Sequence, residues 1–217
     1  MTAAAVGQQL SSFDVANLRD RDAFVNILGR RGAGKAALVD KLLSQSNLSE
    51  CPGLVMGQAL RRQMNSTQLS VTEYDPYLLQ VWSAKMMRAS KATPSQKKPW
   101  FILLNNCMWN CTWHTDPCVR ELIMHRDVFH VTAILSSNSL QQDLPDPLFA
   151  CIDFTFLFKF PVHPNNPQLL IKLFRMYGSL AFDDTSAFAA AVSDLDDSHQ
   201  CLVFDHRARC AHLLTIA

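Results

Sequence analysis

The sequence predicts an α/β fold of three layers, in which helices cover both faces of a mostly parallel central sheet. Three observations support this prediction. Continuous apolar runs of strand length alternate along the chain with amphipathic helical segments, a pattern typical of parallel sheets buried on both faces. A glycine-rich turn at 29–35 separates the first apolar run from the first helical segment. The chain of 217 residues suits one domain with a large core, and a second full domain would be cramped.

The individual elements follow from the same patterns. Strands are predicted at 24–28, 53–56, 100–104, 128–135, 154–160, 200–204 and 212–216. Helices are predicted at 36–43, 76–90, 119–125, 168–177 and 185–192. Four phenylalanines alternate along one strand and are expected to form a core stripe: Phe154, Phe156, Phe158 and Phe160. We expect residues 1–22 to be a flexible lead-in and residues 23–217 to form the domain.

The composition of the chain limits the classes of protein to which it can belong. The formal net charge is +1, so no strong overall field attracts the chain to nucleic acid or to an anionic membrane. The sequence has no apolar stretch near the length of a membrane span, and its first residues lack the features of a signal peptide. The seven cysteines are an odd number, which favours a reducing compartment and mostly buried thiols.

The glycine-rich turn is the strongest functional signal. Gly29-Arg30-Arg31-Gly32-Ala33-Gly34-Lys35 satisfies the first seven places of the Walker A pattern. The backbone N–H groups of such a loop and the start of the next helix bind phosphate, and Lys35 adds a positive charge. The eighth place is Ala36 instead of the Ser or Thr that binds Mg²⁺. The sequence therefore predicts ATP binding by residues 29–36 and makes a Mg²⁺ cofactor doubtful; we assign no metal-ligating residue.

A second predicted strand ends in neutral residues where acidic residues are expected. A P-loop ATPase ends a buried strand in acidic residues, which hold Mg²⁺ and activate the attacking water. Here the strand 100–104 is followed by Asn105 and Asn106. An amide brings no charge to a metal and cannot accept a proton. Lys35, Asn105 and Asn106 are therefore predicted at the catalytic positions, with weak or lost hydrolysis.

These residues resemble a known family. The run Phe101-Ile102-Leu103-Leu104-Asn105-Asn106-Cys107-Met108-Trp109-Asn110 is similar to the signature of the DNA-packaging ATPases of nucleocytoplasmic large DNA viruses. These ATPases belong to the FtsK–HerA branch of P-loop motors, and the likeness extends over about 24–217. The resemblance implies a RecA/FtsK–HerA-like sheet, with Asn138 at the position of a sensor glutamine. It also aligns Phe149 with a trans-acting arginine and Asn110 with an acidic residue.

The resemblance further implies partners and a location. The family assembles as homo-oligomeric rings that use ATP to move double-stranded DNA into viral capsids. The expected location is the cytoplasm or viral factory of the host cell, or the virion, and no membrane partner is expected. The departures from the family pattern leave a second hypothesis open, a non-catalytic paralogue that serves as a structural or regulatory subunit.

Two further groups of residues have alternative interpretations. Cys107, Cys111, His114 and Cys118 have the spacing of a small zinc site, or they are thiols and an imidazole scattered along a loop. A basic group could face DNA phosphates in a ring, or it could be a solvated surface. Its densest part is Arg88, Lys91, Lys97 and Lys98, and Arg61 and Arg62 form a smaller cluster.

Overall fold

The computed structural model describes residues 10–18, 22–46, 48–57, 66–92, 99–107, 113–140, 144–161, 167–197 and 199–216. The described strands are β1 (Ser11–Ser12), β2 (Phe24–Leu28), β3 (Gly53–Gly57), β4 (Gln68–Val71), β5 (Trp100–Asn105), β6 (Val131–Ser137), β7 (Phe154–Phe158), β8 (Gln200–Asp205) and β9 (Cys210–Thr215). The described α-helices are α1 (Lys35–Gln45), α2 (Pro76–Ala92), α3 (Pro117–Met124), α4 (Arg126–Phe129), α5 (Asp146–Phe149), α6 (Pro167–Met176) and α7 (Thr185–Ser193).

The described strands form one sheet in the order β1-β9-β8-β7-β2-β6-β5-β3-β4. Within it β8 is antiparallel to β7 and β9, and every other described neighbouring pair is parallel. The strand that precedes the glycine-rich loop, β2, lies between β7 and β6 near the middle of the sheet. The predicted α/β fold with a mostly parallel central sheet is thereby confirmed.

Helices pack on both faces because successive side chains of the buried strands point to opposite sides. Val25 and Ile27 of β2 face the cluster that contains the apolar side of α1. On the other face, α2 and α3 cover the β3, β5 and β6 half of the sheet. The helices α6 and α7 cover the β7 and β8 half. These contacts make the three predicted layers.

Several elements differ from the sequence prediction. Residues 11–18 were expected in the lead-in, yet β1 pairs with β9 and the 3-10 helix Val15–Leu18 buries two side chains in the core. The edge strand β4 and the short helix α5 were not predicted. The strand predicted from residue 128 begins at Val131, because 126–129 is helical and His130 adopts a left-handed φ of 53°.

The phenylalanine stripe is shorter than expected. Phe154, Phe156 and Phe158 lie in the α1-side cluster. Phe160 lies beyond the end of β7 and packs with the α6 and α7 cluster on the opposite face. No helix in the described part of the chain is long and apolar enough to span a bilayer.

A buried carboxylate fixes the end of the sheet opposite the loop. Asp153 lies just before β7, and its side chain is 4% exposed. Its Oδ2 atom accepts hydrogen bonds from the Phe24 backbone N–H at 2.8 Å and from Nε and Nη2 of Arg126 at 3.1 and 2.9 Å. Its Oδ1 atom lies 2.6 Å from Nε of Arg207, in the β8–β9 turn. One carboxylate therefore ties β2, β7, α4 and this turn together.

Removing this charge should destabilise the fold. We expect Asp153→Asn to lower the free energy of unfolding by about 3 kcal/mol, since breaking a buried ion pair leaves the partner charge uncompensated. Urea denaturation measures the change. The matched control is Asp197→Asn, which removes an exposed pair with Arg30 and should cost less than about 1 kcal/mol. Equal losses in the two variants would contradict the role given to Asp153.

Candidate nucleotide site

The site lies at the carboxyl edge of the sheet, where β2, β6 and β5 end side by side. Leu28 pairs with Ser137, and Asn105 pairs with Ser136. The Ser137 carbonyl accepts a hydrogen bond from the Gly29 N–H at 3.3 Å, and the Ser136 carbonyl accepts one from the Asn106 N–H at 2.8 Å. The end of β6 thus anchors both the start of the loop and the end of β5.

The loop curls by using left-handed backbone at two glycines. Gly32 has a φ of 83° and Gly34 a φ of 94°, values that L side chains rarely adopt. Gly34 is the N-cap of α1, so the positive end of an 11-residue helix opens at this point. The loop backbone and the helix start together form the kind of anion-binding element on which the sequence prediction depends.

Lys35 is buried against the loop. Its ammonium group donates hydrogen bonds to the carbonyl oxygens of Gly29 at 2.7 Å and Arg30 at 2.8 Å. Burial lowers the pKa of Lys35 to about 8, because a charged ammonium is less stable away from water. The group is still mostly protonated at neutral pH, and it loses its charge in mildly alkaline solution.

A pocket of about 350 Å³ opens beside the loop. The sequence-predicted residues that line it are Arg31, Gly32, Gly34, Lys35, Ala36, Asn105, Asn106 and Asn138. The fold therefore brings together residues from the loop, from β5 and from the end of β6. The described lining also includes Ala37 and Asp40, which the sequence analysis did not select. Asp40 lies four residues after Ala36, one helical turn along α1, so helical spacing could have identified it.

Three residues of the predicted loop do not appear among the described lining residues. Gly29 and Arg30 contribute the carbonyls that hold Lys35, and the Arg30 side chain lies 3.5 Å from Asp197. Ala33 is buried in the α1-side core. The two neighbouring arginines thus have different surroundings, since Arg31 is exposed and lines the pocket.

The donor set of this pocket does not fit a usual P-loop Mg²⁺ site. Magnesium prefers hard oxygen ligands in octahedral geometry, and P-loop enzymes supply them from a hydroxyl and an acidic strand end. Ala36 is exposed to the pocket and carries a methyl group, and Asn105 and Asn106 are neutral. Asp40 is the carboxylate among the described lining residues, and it stands one turn away from the usual hydroxyl position.

Phe149, which the resemblance aligns with a trans-acting arginine, packs against its own chain. Its ring centroid lies 5.8 Å from that of Tyr177 and 6.2 Å from that of His206. An aromatic ring held in this way adds apolar contact area and no positive charge.

The cysteine group is partly described. Cys107 is buried, and its thiol donates a hydrogen bond to the Met56 carbonyl at 3.2 Å. Burial raises the pKa of Cys107 to about 12, because a thiolate is less stable away from water. Cys111 lies outside the described residues, and within the described part of the chain no group of three metal-ligating side chains is found. None of the six described cysteines forms a disulfide bond with another described residue.

Arg88 is the member of the basic group whose side chain the structure describes, and it is exposed on α2. The side chains of Lys91, Lys97, Lys98, Arg61 and Arg62 lie outside the described residues.

The described residues have a P-loop NTPase fold, which they share with solved viral DNA-packaging ATPases. The DNA-packaging ATPase B204 of Sulfolobus turreted icosahedral virus shares the fold with a TM-score of 0.62 at 14% identity, over 89% of this chain and 97% of that one. The genome-packaging NTPase B204 of Sulfolobus turreted icosahedral virus 2, in complex with AMPPCP, gives a TM-score of 0.64 at 13% identity, over 89% and 97% of the two chains.

Sequence comparison adds one viral relative. The uncharacterized protein 015R of Frog virus 3 is 22% identical over 189 residues, which are 83% of this chain. The match spans 55% of the Frog virus 3 protein, so this chain corresponds to about half of that relative. No protein-family model matches the chain.

The lowered pKa of Lys35 predicts how nucleotide affinity changes with pH. Affinity for ATP should fall up to about tenfold from pH 7 to pH 9, because Lys35 loses the proton that attracts phosphate. Fluorescence titration in the presence of EDTA measures this. Lys35→Arg keeps its charge over the range and should show a smaller fall if it binds ATP. A flat profile for the unmodified protein would contradict the assignment.

The same lowered pKa should make the fold more stable as the pH rises, whereas ATP affinity should fall. The unfolded chain binds a proton at Lys35 up to about pH 10.5, and the folded chain releases it near pH 8. The Lys35 contribution to the free energy of unfolding should therefore rise between these pH values.

Proposed function

We propose that this chain is a viral genome-packaging ATPase-like protein that binds ATP and acts on double-stranded DNA during virion assembly, with impaired hydrolysis. It would be a degenerate member of the DNA-packaging ATPases of nucleocytoplasmic large DNA viruses. The main observation that supports this proposal is the pocket in which the glycine-rich loop, Lys35 and the ends of β5 and β6 meet. The fold shared with the B204 packaging proteins supports this reading.

Nucleotide binding has the most direct support. The curled loop and the start of α1 present positive backbone dipoles to the pocket, and Lys35 adds a charge. The structurally similar B204 protein is in complex with the ATP analogue AMPPCP. The proposed ligand is therefore a nucleoside triphosphate, bound by its phosphates.

Impaired hydrolysis follows from what phosphoryl transfer requires. The reaction depends on charge placed around the γ-phosphate and on a positioned water. Ala36 offers no metal-binding hydroxyl, and Asn105 and Asn106 offer neither negative charge nor a base. The absence of a general base alone typically lowers a rate by about 10²–10⁴.

The partners and location are supported more indirectly. The name of one B204 protein describes it as a DNA-packaging ATPase, and the sequence relative comes from a virus. We infer by analogy that the chain works in a homo-oligomeric ring with double-stranded DNA and a capsid. Its place would be the cytoplasm or viral factory of the host cell, or the virion.

A second candidate function rests on the same neutral residues. Ala36, Asn105 and Asn106 all border one pocket, so their effects on the reaction would combine there. A non-catalytic subunit that binds nucleotide and serves a structural or regulatory role would need no metal ligand and no base. The two candidates differ in measurable turnover.

We predict that ATP hydrolysis by the unmodified protein is close to background, with or without DNA. Ala36→Thr and Asn105→Asp should each restore little, since the metal needs both ligands. The triple variant Ala36→Thr, Asn105→Asp, Asn106→Asp should raise the rate by at least about tenfold, because it returns ligands and a base together. Steady-state phosphate release measures all four proteins.

Lys35→Ala is the control for both candidates, since it removes the phosphate-binding charge and should abolish ATP binding. Robust hydrolysis by the unmodified protein that disappears in Lys35→Ala would show that the catalytic acids lie elsewhere in the chain. Failure of the unmodified protein to bind ATP would reject the nucleotide-binding function itself.

A further inference from the structure

We propose that the pocket binds its nucleoside triphosphate without a divalent cation, and that the Arg31 guanidinium supplies the positive charge that Mg²⁺ supplies in other P-loop proteins. This inference rests on the proposed nucleotide binding and adds the manner of that binding. Four features of the described residues support it: the position of Arg31, the contrast with Arg30, the neutral amides, and the side chain at position 36.

Arg31 is placed to reach a bound phosphate. It lies inside the loop, its side chain is exposed, and it lines the same pocket as Lys35. No carboxylate in the described part of the chain lies within 4.0 Å of its guanidinium. A cation that has no ion-pair partner among the described residues and borders the pocket is available to an anionic ligand.

Arg30 provides an internal comparison. It precedes Arg31 in the loop, and its side chain is also exposed, yet it lies 3.5 Å from Asp197. Its backbone carbonyl holds Lys35, and the residue does not appear among the described residues that line the pocket. The loop thus contains one arginine that lines the pocket and one whose side chain lies beside Asp197.

A guanidinium needs no ligands from the protein in order to act on phosphate. Magnesium must be held by oxygen ligands, which P-loop proteins supply from the hydroxyl and acidic positions. Arginine is attached covalently and presents a planar fork of N–H donors that matches two phosphate oxygens. Ala36 is therefore compatible with an arginine-based site, although it is incompatible with a usual metal-based one.

The amides fit the same chemistry. Without a metal, acidic side chains at positions 105 and 106 would repel the phosphates. Asn105, Asn106 and Asn138 instead carry NH₂ groups that can donate hydrogen bonds to phosphate oxygens. All three line the pocket, so the neutral residues and Arg31 form one consistent phosphate-binding set.

Asp40 is the residue that could support the opposite conclusion. It carries a carboxylate, lines the pocket and lies on the α1 face that bears Ala36. If Asp40 held a divalent cation against the phosphates, the site would depend on a metal after all. The experiment therefore includes this residue.

The experiment is a titration with a fluorescent ATP analogue, in excess EDTA and in excess Mg²⁺. For the unmodified protein we expect dissociation constants within about threefold of each other in the two buffers. In EDTA, Arg31→Gln should weaken binding by about 10-fold to 100-fold, the range for a lost hydrogen bond between charged groups. Arg31→Lys should recover part of the loss because it keeps the charge without the fork.

Arg88→Gln is the control for the loss of one exposed arginine charge. It should change affinity by less than about threefold, since Arg88 lies on α2 and does not appear among the described residues that line the pocket. Because Arg31 is exposed, its variants should keep the melting temperature of the unmodified protein, which separates a binding effect from unfolding. Asp40→Asn should strengthen binding or leave it unchanged, because it removes a negative charge from the pocket.

Three results would overturn the inference. The first is a gain of more than about tenfold from Mg²⁺, which would leave nucleotide binding intact and make it metal-dependent; loss of that gain in Asp40→Asn would identify Asp40 as a metal ligand. The second is unchanged affinity in Arg31→Gln. The third is the absence of ATP binding by the unmodified protein in both buffers, which would also reject the proposed function.

Discussion

The glycine-rich loop is organised around one buried charge, the ammonium group of Lys35. A charge removed from water is unfavourable unless it is hydrogen-bonded, and the carbonyls of Gly29 and Arg30 supply those bonds. The loop must curl back on its own lysine to do so, which explains the left-handed φ angles at Gly32 and Gly34. Because α1 begins at Lys35, the same contacts also fix the helix start and its positive dipole beside the pocket.

The sheet adds the second half of the site through β6. Its last two carbonyls hold Gly29 on one side and Asn106 on the other, so the loop and the end of β5 share one support. Asn106 adopts a left-handed φ of 57°, which asparagine tolerates better than most residues. The chain thus leaves β5 in a turn that places Asn105 and Asn106 at the pocket. Parallel strand order by itself would bring these ends together only approximately.

Local patterns predicted most of the buried elements and the loop, because continuous apolar runs and helical spacing are written in neighbouring residues. The edge strand β4 was missed because its residues are half-buried or exposed and lack an apolar run. The pairing of Ser11 and Ser12 with β9 depends on residues about two hundred positions away. In the site, the motif identified Lys35 and the amides, but the difference between Arg30 and Arg31 depends on Asp197, which the sequence does not place nearby.

The departures from a usual P-loop ATPase are physically linked. A metal ion and the acidic residues around it are stable only together, since each neutralises the other beside the phosphates. Once position 36 is alanine and the metal is poorly held, carboxylates at 105 and 106 would become repulsive, and amides remove that repulsion. Under the proposed function, one change explains the three residues Ala36, Asn105 and Asn106. Metal-assisted cleavage is replaced by direct binding of the phosphates through cationic and amide groups. Binding and hydrolysis can separate in this way because binding needs compensating charge, whereas cleavage also needs a base and a positioned water.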